Sequence, residues 1–155
     1  MLLKEDIMKR TINLAISTIK DGNTPFGAII IKDGKVVAEA VNEVTSSNDI
    51  TAHAELLVIR KATKKLARID LSDCELYASG EPCKMCLTAI YYAGIKTVYV
   101  AYQQEVATEY KIGNSYVNDQ MKLSKEKRDL TYTYLTPENI EHPYKVWINR
   151  DSTRK

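Results

Sequence analysis

The stretch Ala28-Ile29-Ile30-Ile31-Lys32-Asp33-Gly34-Lys35-Val36-Val37-Ala38-Glu39-Ala40-Val41 decides how the chain folds. Two β-rich runs, 28–31 and 36–41, flank Asp33-Gly34. Asp-Gly between such runs is a strong hairpin signal, so the first two strands are expected to be antiparallel neighbours. Upstream, Ile7, Thr11, Leu14, Ala15 and Thr18 recur at helical spacing across 5–20, and Asp21-Gly22-Asn23 supplies the stop. Downstream, residues 53–67 are rich in Ala, Leu, Lys and Arg with no breaker, which predicts a helix starting close to His53. Residues 75–79 read as a short strand, and Pro82 opens a helix over 83–92 that Gly94 stops. A β-branched strand follows at 96–101. Beyond it the pattern gives a helical turn or two at 103–110, a loop around Gly113-Asn114, a strand near 131–135 and a terminal helix from about Pro143. Helix, hairpin, then alternating helix and strand predicts a three-layer α/β domain on a mixed sheet, with the strand order left open.

The chain has 155 residues, a length that suits one domain, and 1–155 is expected to form a single unit. Apolar residues make up 45% and charged residues 27%, which excludes disordered and fibrous classes. The net charge of +2 and a pI near 8.3 are far from the strong bias of a dedicated nucleic-acid binder. No apolar run approaches the ~18 residues of a membrane span. Charges at Lys4, Glu5 and Asp6 sit where a secretory signal would be apolar, so a cytoplasmic location is expected.

The cysteines stand at 74, 83 and 86. An odd count without a signal segment argues against a disulfide framework. Cys74, just before an apolar run, reads as a small buried residue. Cys83 and Cys86 form a Cys-x-x-Cys pair in Glu81-Pro82-Cys83-Lys84-Met85-Cys86, and His53-Ala54-Glu55 lies upstream. Zinc takes thiolate and imidazole donors, and a catalytic site keeps three protein ligands and an open fourth position. His53, Cys83 and Cys86 supply three, all near predicted helix starts. There the helix dipole and free N–H groups lower a thiol's pKa towards the thiolate a metal needs. Glu55 stands two residues from His53, close enough to move protons without ligating. A structural or redox site is the competing reading. It would need a fourth ligand, and Cys74 and His142 are the remaining candidates by type, neither at ligand spacing.

His-x-Glu followed by Pro-Cys-x-x-Cys is the known zinc deaminase signature, and the chain resembles the cytidine deaminase superfamily, in particular its bacterial guanine deaminase branch. The resemblance rests on Pro25-Phe26-Gly27-Ala28, Asn42, Thr45-Ser46-Ser47-Asn48-Asp49, Thr51-Ala52-His53-Ala54-Glu55, the Glu81–Cys86 stretch, Ala89-Ile90-Tyr91-Tyr92-Ala93 and Pro143-Tyr144-Lys145-Val146-Trp147. It implies a five-stranded mixed sheet between helices, one zinc ion per subunit, and a homodimer with the C-terminal segment exchanged. It also implies that Glu55 shuttles protons, Phe26 stacks on the base, Asn42 hydrogen-bonds its edge, and the Ala54 N–H meets a base oxygen or ring nitrogen. Core packing for Phe26 and a strand-end turn for Asn42 are the alternatives. The family usually carries an aspartate in the loop that here reads Ile112-Gly113-Asn114-Ser115, and an aromatic after the position of Trp147, where this chain ends Arg150-Asp151-Ser152-Thr153-Arg154-Lys155. Asn114 is therefore the expected contact to the substrate's N–H edge, with a changed hydrogen-bond pattern.

The expected reaction is zinc-dependent hydrolytic deamination of a free nucleobase, guanine first, another amino-heterocycle or nucleoside otherwise. The rival inside the superfamily is a tRNA wobble adenosine deaminase. The cations that could meet phosphates are Arg60, Lys61, Lys64, Lys65 and Arg68, which read as a solvated helix face, and Lys122, Lys125, Lys127 and Arg128, diluted by Glu126 and Asp129. A non-catalytic metal-bound binding module is a third reading, and the retained Glu55 argues against it.

Overall fold

A computed structural model describes residues 3–150. The elements in chain order are α1 (Lys4–Ser17), β1 (Gly27–Lys32), β2 (Lys35–Val41), α2 (Val44–Ser47), α3 (Ala54–Leu66), β3 (Glu75–Gly80), α4 (Lys84–Tyr92), β4 (Thr97–Tyr102), α5 (Gln104–Glu109), α6 (Ser115–Lys122) and α7 (Pro143–Asn149), with single 3-10 turns at Thr18–Asp21 and Lys125–Lys127.

The expected hairpin forms. Asp33 and Gly34 both take positive φ, at 50° and 71°, the geometry that a two-residue turn between right-twisted strands demands. β1 pairs antiparallel with β2 and with β3, while β3 and β4 pair in parallel through α4, giving the mixed order β2-β1-β3-β4. The unbroken isoleucine run in β1 has a direct cause. Ile30 faces a core with Ala54, Val58, Leu76 and Ile90, whereas Ile29 and Ile31 face a second core with Ile7 and Tyr77. A strand covered on both faces has no polar side to show. α1 therefore forms one layer, the sheet the second, and α3 with α4 the third.

The fold differs from expectation in the sheet's width. Four strands pair among the described residues, not five, and residues 131–135 form no strand. Thr-Tyr-Thr-Tyr-Leu has the right propensity, but those residues are exposed and meet no ladder partner, and a β-prone run becomes a strand only when its N–H and C=O groups find one. The expected loop at Gly113-Asn114 forms, and a helix for which no expectation was made, α6, follows it over 115–122. The chain end at 151–155, where the missing aromatic was noted, lies outside the described residues. No described helix is long and apolar enough to cross a membrane.

Candidate functional site

His53 is the N-cap of α3 and Cys83 the N-cap of α4, with Cys86 in that helix's first turn. Each helix starts where the sequence places a turn. Before α3, Asn48 takes the left-handed conformation, at φ 53°. The Asp49 carboxylate then accepts from the Thr51 N–H at 2.8 Å and the Thr51 hydroxyl at 2.7 Å, which delivers His53 at the helix entrance. Before α4, Glu81 closes the loop at the carboxyl ends of the parallel strands. Its N–H donates to the Tyr102 carbonyl at 2.8 Å, and its carboxylate accepts from the Gln104 N–H at 2.9 Å. Sequence reading passed over this role of Glu81.

The three donors converge. The ligand atoms of His53, Cys83 and Cys86 lie within 4.8 Å of one another, with Nδ1 of His53 at 3.6 Å from the Cys83 sulfur and 3.5 Å from that of Cys86. One imidazole and two thiols at this spacing match a zinc donor set with a fourth position free. The two thiols differ sharply in acidity. Cys83 is pulled down to about 4, first by the hydrogen bond that Cys86 donates and then by His53, while Cys86 is pushed up by that bond, by burial and by Glu55. His53 is raised in turn, mainly by its bond with Cys83. The anionic sulfur a metal requires is thus already favoured at a helix N-cap. Neither Cys74 nor His142 joins the group. Cys74 is 3% exposed beside Asp73, and His142 caps α7 by accepting from the Tyr144 N–H.

Glu55 is buried, 5% exposed, in the first turn of α3, and accepts a hydrogen bond from Cys86 at 3.6 Å. Burial pushes its carboxyl above the usual range. A buried carboxylate beside the donor trio is placed to take and return protons there.

Phe26 and Asn42 are neighbours because β1 pairs with β2. The Asn42 N–H donates to the Phe26 carbonyl at 2.8 Å, next to the Gly27–Val41 pair. The half-buried Phe26 ring lies across the end of β3, where a Cβ on Gly80 would come within 2.8 Å of it, so glycine there is a packing requirement. Asn42 is 3% exposed, and its Oδ1 accepts from the Val44 N–H at 3.1 Å. The turn role and a binding role are therefore compatible, since Nδ2 stays free of that bond. Ala54, fully buried, is the first residue of α3, where backbone N–H groups have no helical acceptor. Asn114 makes no hydrogen bond to these residues. It is exposed, and its Oδ1 caps α6 by accepting from the Val117 N–H at 3.1 Å, a bond that an Asn before a helical run could have suggested.

Residues 1–102 match the family described as the cytidine and deoxycytidylate deaminase zinc-binding region. Over 146 residues the chain is 42% identical to guanine deaminase from Bacillus subtilis, covering 94% of each. The X-ray structure of that species' guanine deaminase superposes with a TM-score of 0.88 at 41% identity, covering 96% of this chain and 95% of the other. A tRNA-specific adenosine deaminase from Aquifex aeolicus is 40% identical over 95 residues, 61% of this chain and 63% of that protein.

Proposed function

We propose, from the premise that the chain belongs to the cytidine and deoxycytidylate deaminase family, that it hydrolyses free guanine to xanthine and ammonia. The observation that carries this reading is the extent of the likeness. Similarity to guanine deaminase covers 94% of the chain and so takes in most of the part after β4, whereas the tRNA-specific relative matches 61%. The modest net charge agrees, and the cations of α3, Arg60, Lys61, Lys64 and Lys65, are exposed as a solvated face should be.

His53, Cys83 and Cys86 hold the zinc ion. The ion, when bound, supplies a Lewis acid that lowers the pKa of water at the site. Glu55 takes a proton as the water oxygen adds to C2 of the base, and passes it to N3. Glu55 then carries the remaining hydroxyl proton to the amino group, the C2–N bond breaks, ammonia leaves, and the C2 oxygen becomes a carbonyl. Phe26 stacks on the base, the Asn42 Nδ2 donates to its edge, and the Ala54 N–H meets an oxygen or ring nitrogen. These contacts hold the base in the site, and the single Glu55 carboxylate serves both proton transfers.

The whole chain acts as one deaminase domain, cytoplasmic, where thiols stay reduced, and as a homodimer that exchanges the C-terminal segment. Two features support the dimer. None of the described residues from 103 to 150 is buried, and α4 leaves Tyr91 and Tyr92 exposed beside it. Asn114 belongs to that segment, and in such an assembly it reaches the partner's site. An amide offers one acceptor and one donor group to an edge presenting two donors, so Asn114→Asp is expected to strengthen guanine preference.

The deciding experiment is ammonia release by zinc-loaded protein from guanine, adenine, cytosine, their nucleosides and an anticodon-stem RNA. Release from guanine alone is expected. Activity confined to another base would keep the mechanism and change the substrate, and activity confined to the RNA would overturn the proposal.

A further inference from the structure

Asn23 and Thr18 enter the sequence pattern only as a helix stop and a helix-face residue, but the structure joins them to the candidate site. Asn23 is 6% exposed, with every hydrogen-bonding capacity of its amide used. Its Oδ1 accepts from the N–H groups of Thr45 and Ser46, both at 3.0 Å. Its Nδ2 donates to the hydroxyls of Thr18 and Ser46, again at 3.0 Å each. Thr18, 2% exposed, passes the donor direction on, since its hydroxyl donates to the Asn42 carbonyl at 2.8 Å.

Asn42 is therefore held at three of its four polar groups. Phe26 takes its N–H, Thr18 its carbonyl, and Val44 its Oδ1. The group left without a partner among the described residues is Nδ2. The third of those clamps depends on Asn23 as well. Thr45 and Ser46 lie in the first turn of α2, whose N–H groups lack helical acceptors, and Asn23 supplies them. That bond fixes where α2 begins and hence where the Val44 N–H points.

We infer that Thr18 and Asn23 are positioning residues that aim the Asn42 amide at the bound base and thereby set substrate affinity. The inference rests on the proposed binding role of Asn42. An amide already clamped loses little freedom when it binds, so the clamp acts on binding and leaves the proton transfers of Glu55 untouched. Loss of one clamp should therefore raise KM with kcat preserved, the signature of lost uniform binding.

The test is steady-state kinetics with guanine on zinc-loaded variants, with zinc content and Tm measured alongside. Thr18→Val removes the hydroxyl and Thr18→Ser keeps it. Thr18→Val is expected to raise KM about tenfold at near-constant kcat and zinc content, the size of one directed hydrogen bond, and Thr18→Ser to restore the native KM. Asn23→Asp keeps both acceptors, in a place where a helix N-terminus favours a carboxylate, and loses both donors; it should show the same split, and it carries the test if Thr18→Val does not fold. On an Asn42→Ala background neither substitution should raise KM further. If Asn42→Ala raises KM while Thr18→Val and Asn23→Asp leave it unchanged, the inference fails and the Asn42 role stands. An additive rise on the Asn42→Ala background also overturns it. If Asn42→Ala leaves KM unchanged, the binding role fails and the inference falls with it.

Discussion

Between α1 and β4 every element but the short α2 turns a face inward, with Ile29 and Ile31 turned to one core and Ile30 to the other, all at most 2% exposed. From 103 to 150 the chain forms three more α-helices and buries none of the described residues, leaving Tyr134 82%, Leu135 87% and Trp147 64% exposed. Short helices without a packed face are marginal by themselves, and a large exposed apolar surface marks a place where something docks. The first region holds the His53, Cys83 and Cys86 donor trio and the buried Glu55 carboxylate on its own core. The second has helices but no core, and the likeness to guanine deaminase, at 94% of the chain, takes in most of it.

Four expectations sharpen or break that contrast. The largest concerns the chemistry of the first region. Glu55→Gln, similar in shape and unable to carry a proton, should lower kcat by about a thousandfold or more while the zinc-to-protein ratio stays at the native value. A mild loss would move the proton work elsewhere. Next comes stability. Ile30→Ala should cost about 2–5 kcal/mol in denaturant unfolding, because it empties a filled core position. Ile140→Ala, at a residue 67% exposed, should change a dilute sample by less than about 0.5 kcal/mol. Equal costs at the two positions would erase the distinction between the regions.

How much of this was legible from sequence follows the same division. The hairpin, the approximate helix starts and the donor trio could be read because local chemistry dictates them: Asp-Gly sets a turn, and Cys-x-x-Cys at a helix start brings both sulfurs to one end. Pro82, however, stands one residue before the Cys83 cap and not in the first turn as expected. The run at 131–135 was misread because propensity cannot report whether a ladder partner exists. α6 was missed because the Asn114 cap announces it by a single residue. Asn23, Thr18 and Glu81 escaped notice because their bonds join residues distant in sequence, such as Thr18 to Asn42.

The third expectation reads the second region directly. Trp147→Ala should shift sedimentation from dimer towards monomer at micromolar concentration while leaving the zinc ratio unchanged. A native protein that sediments as a monomer would contradict the proposed exchange. The smallest effect is electrostatic. Asp73 sits between Arg68, at 2.5 Å, and Lys32, at 2.6 Å, and these bonds, Arg68 first, hold its carboxyl well below the usual range. A carboxylate so depressed contributes stability above its ordinary pKa of about 3.9 and loses it as pH falls further. Asp73→Asn should therefore lower Tm slightly at neutral pH and flatten its decline below about pH 4, an effect kept small by solvent. An unchanged acid limb would show the pair to be silent.

The most direct test of the central claim is mass spectrometry of the product formed from guanine by the zinc-loaded protein in heavy-oxygen water. Xanthine carrying one solvent oxygen, with one equivalent of ammonia, is the predicted result. Guanine recovered unchanged, under conditions where an RNA adenosine or another base is deaminated, would contradict the account.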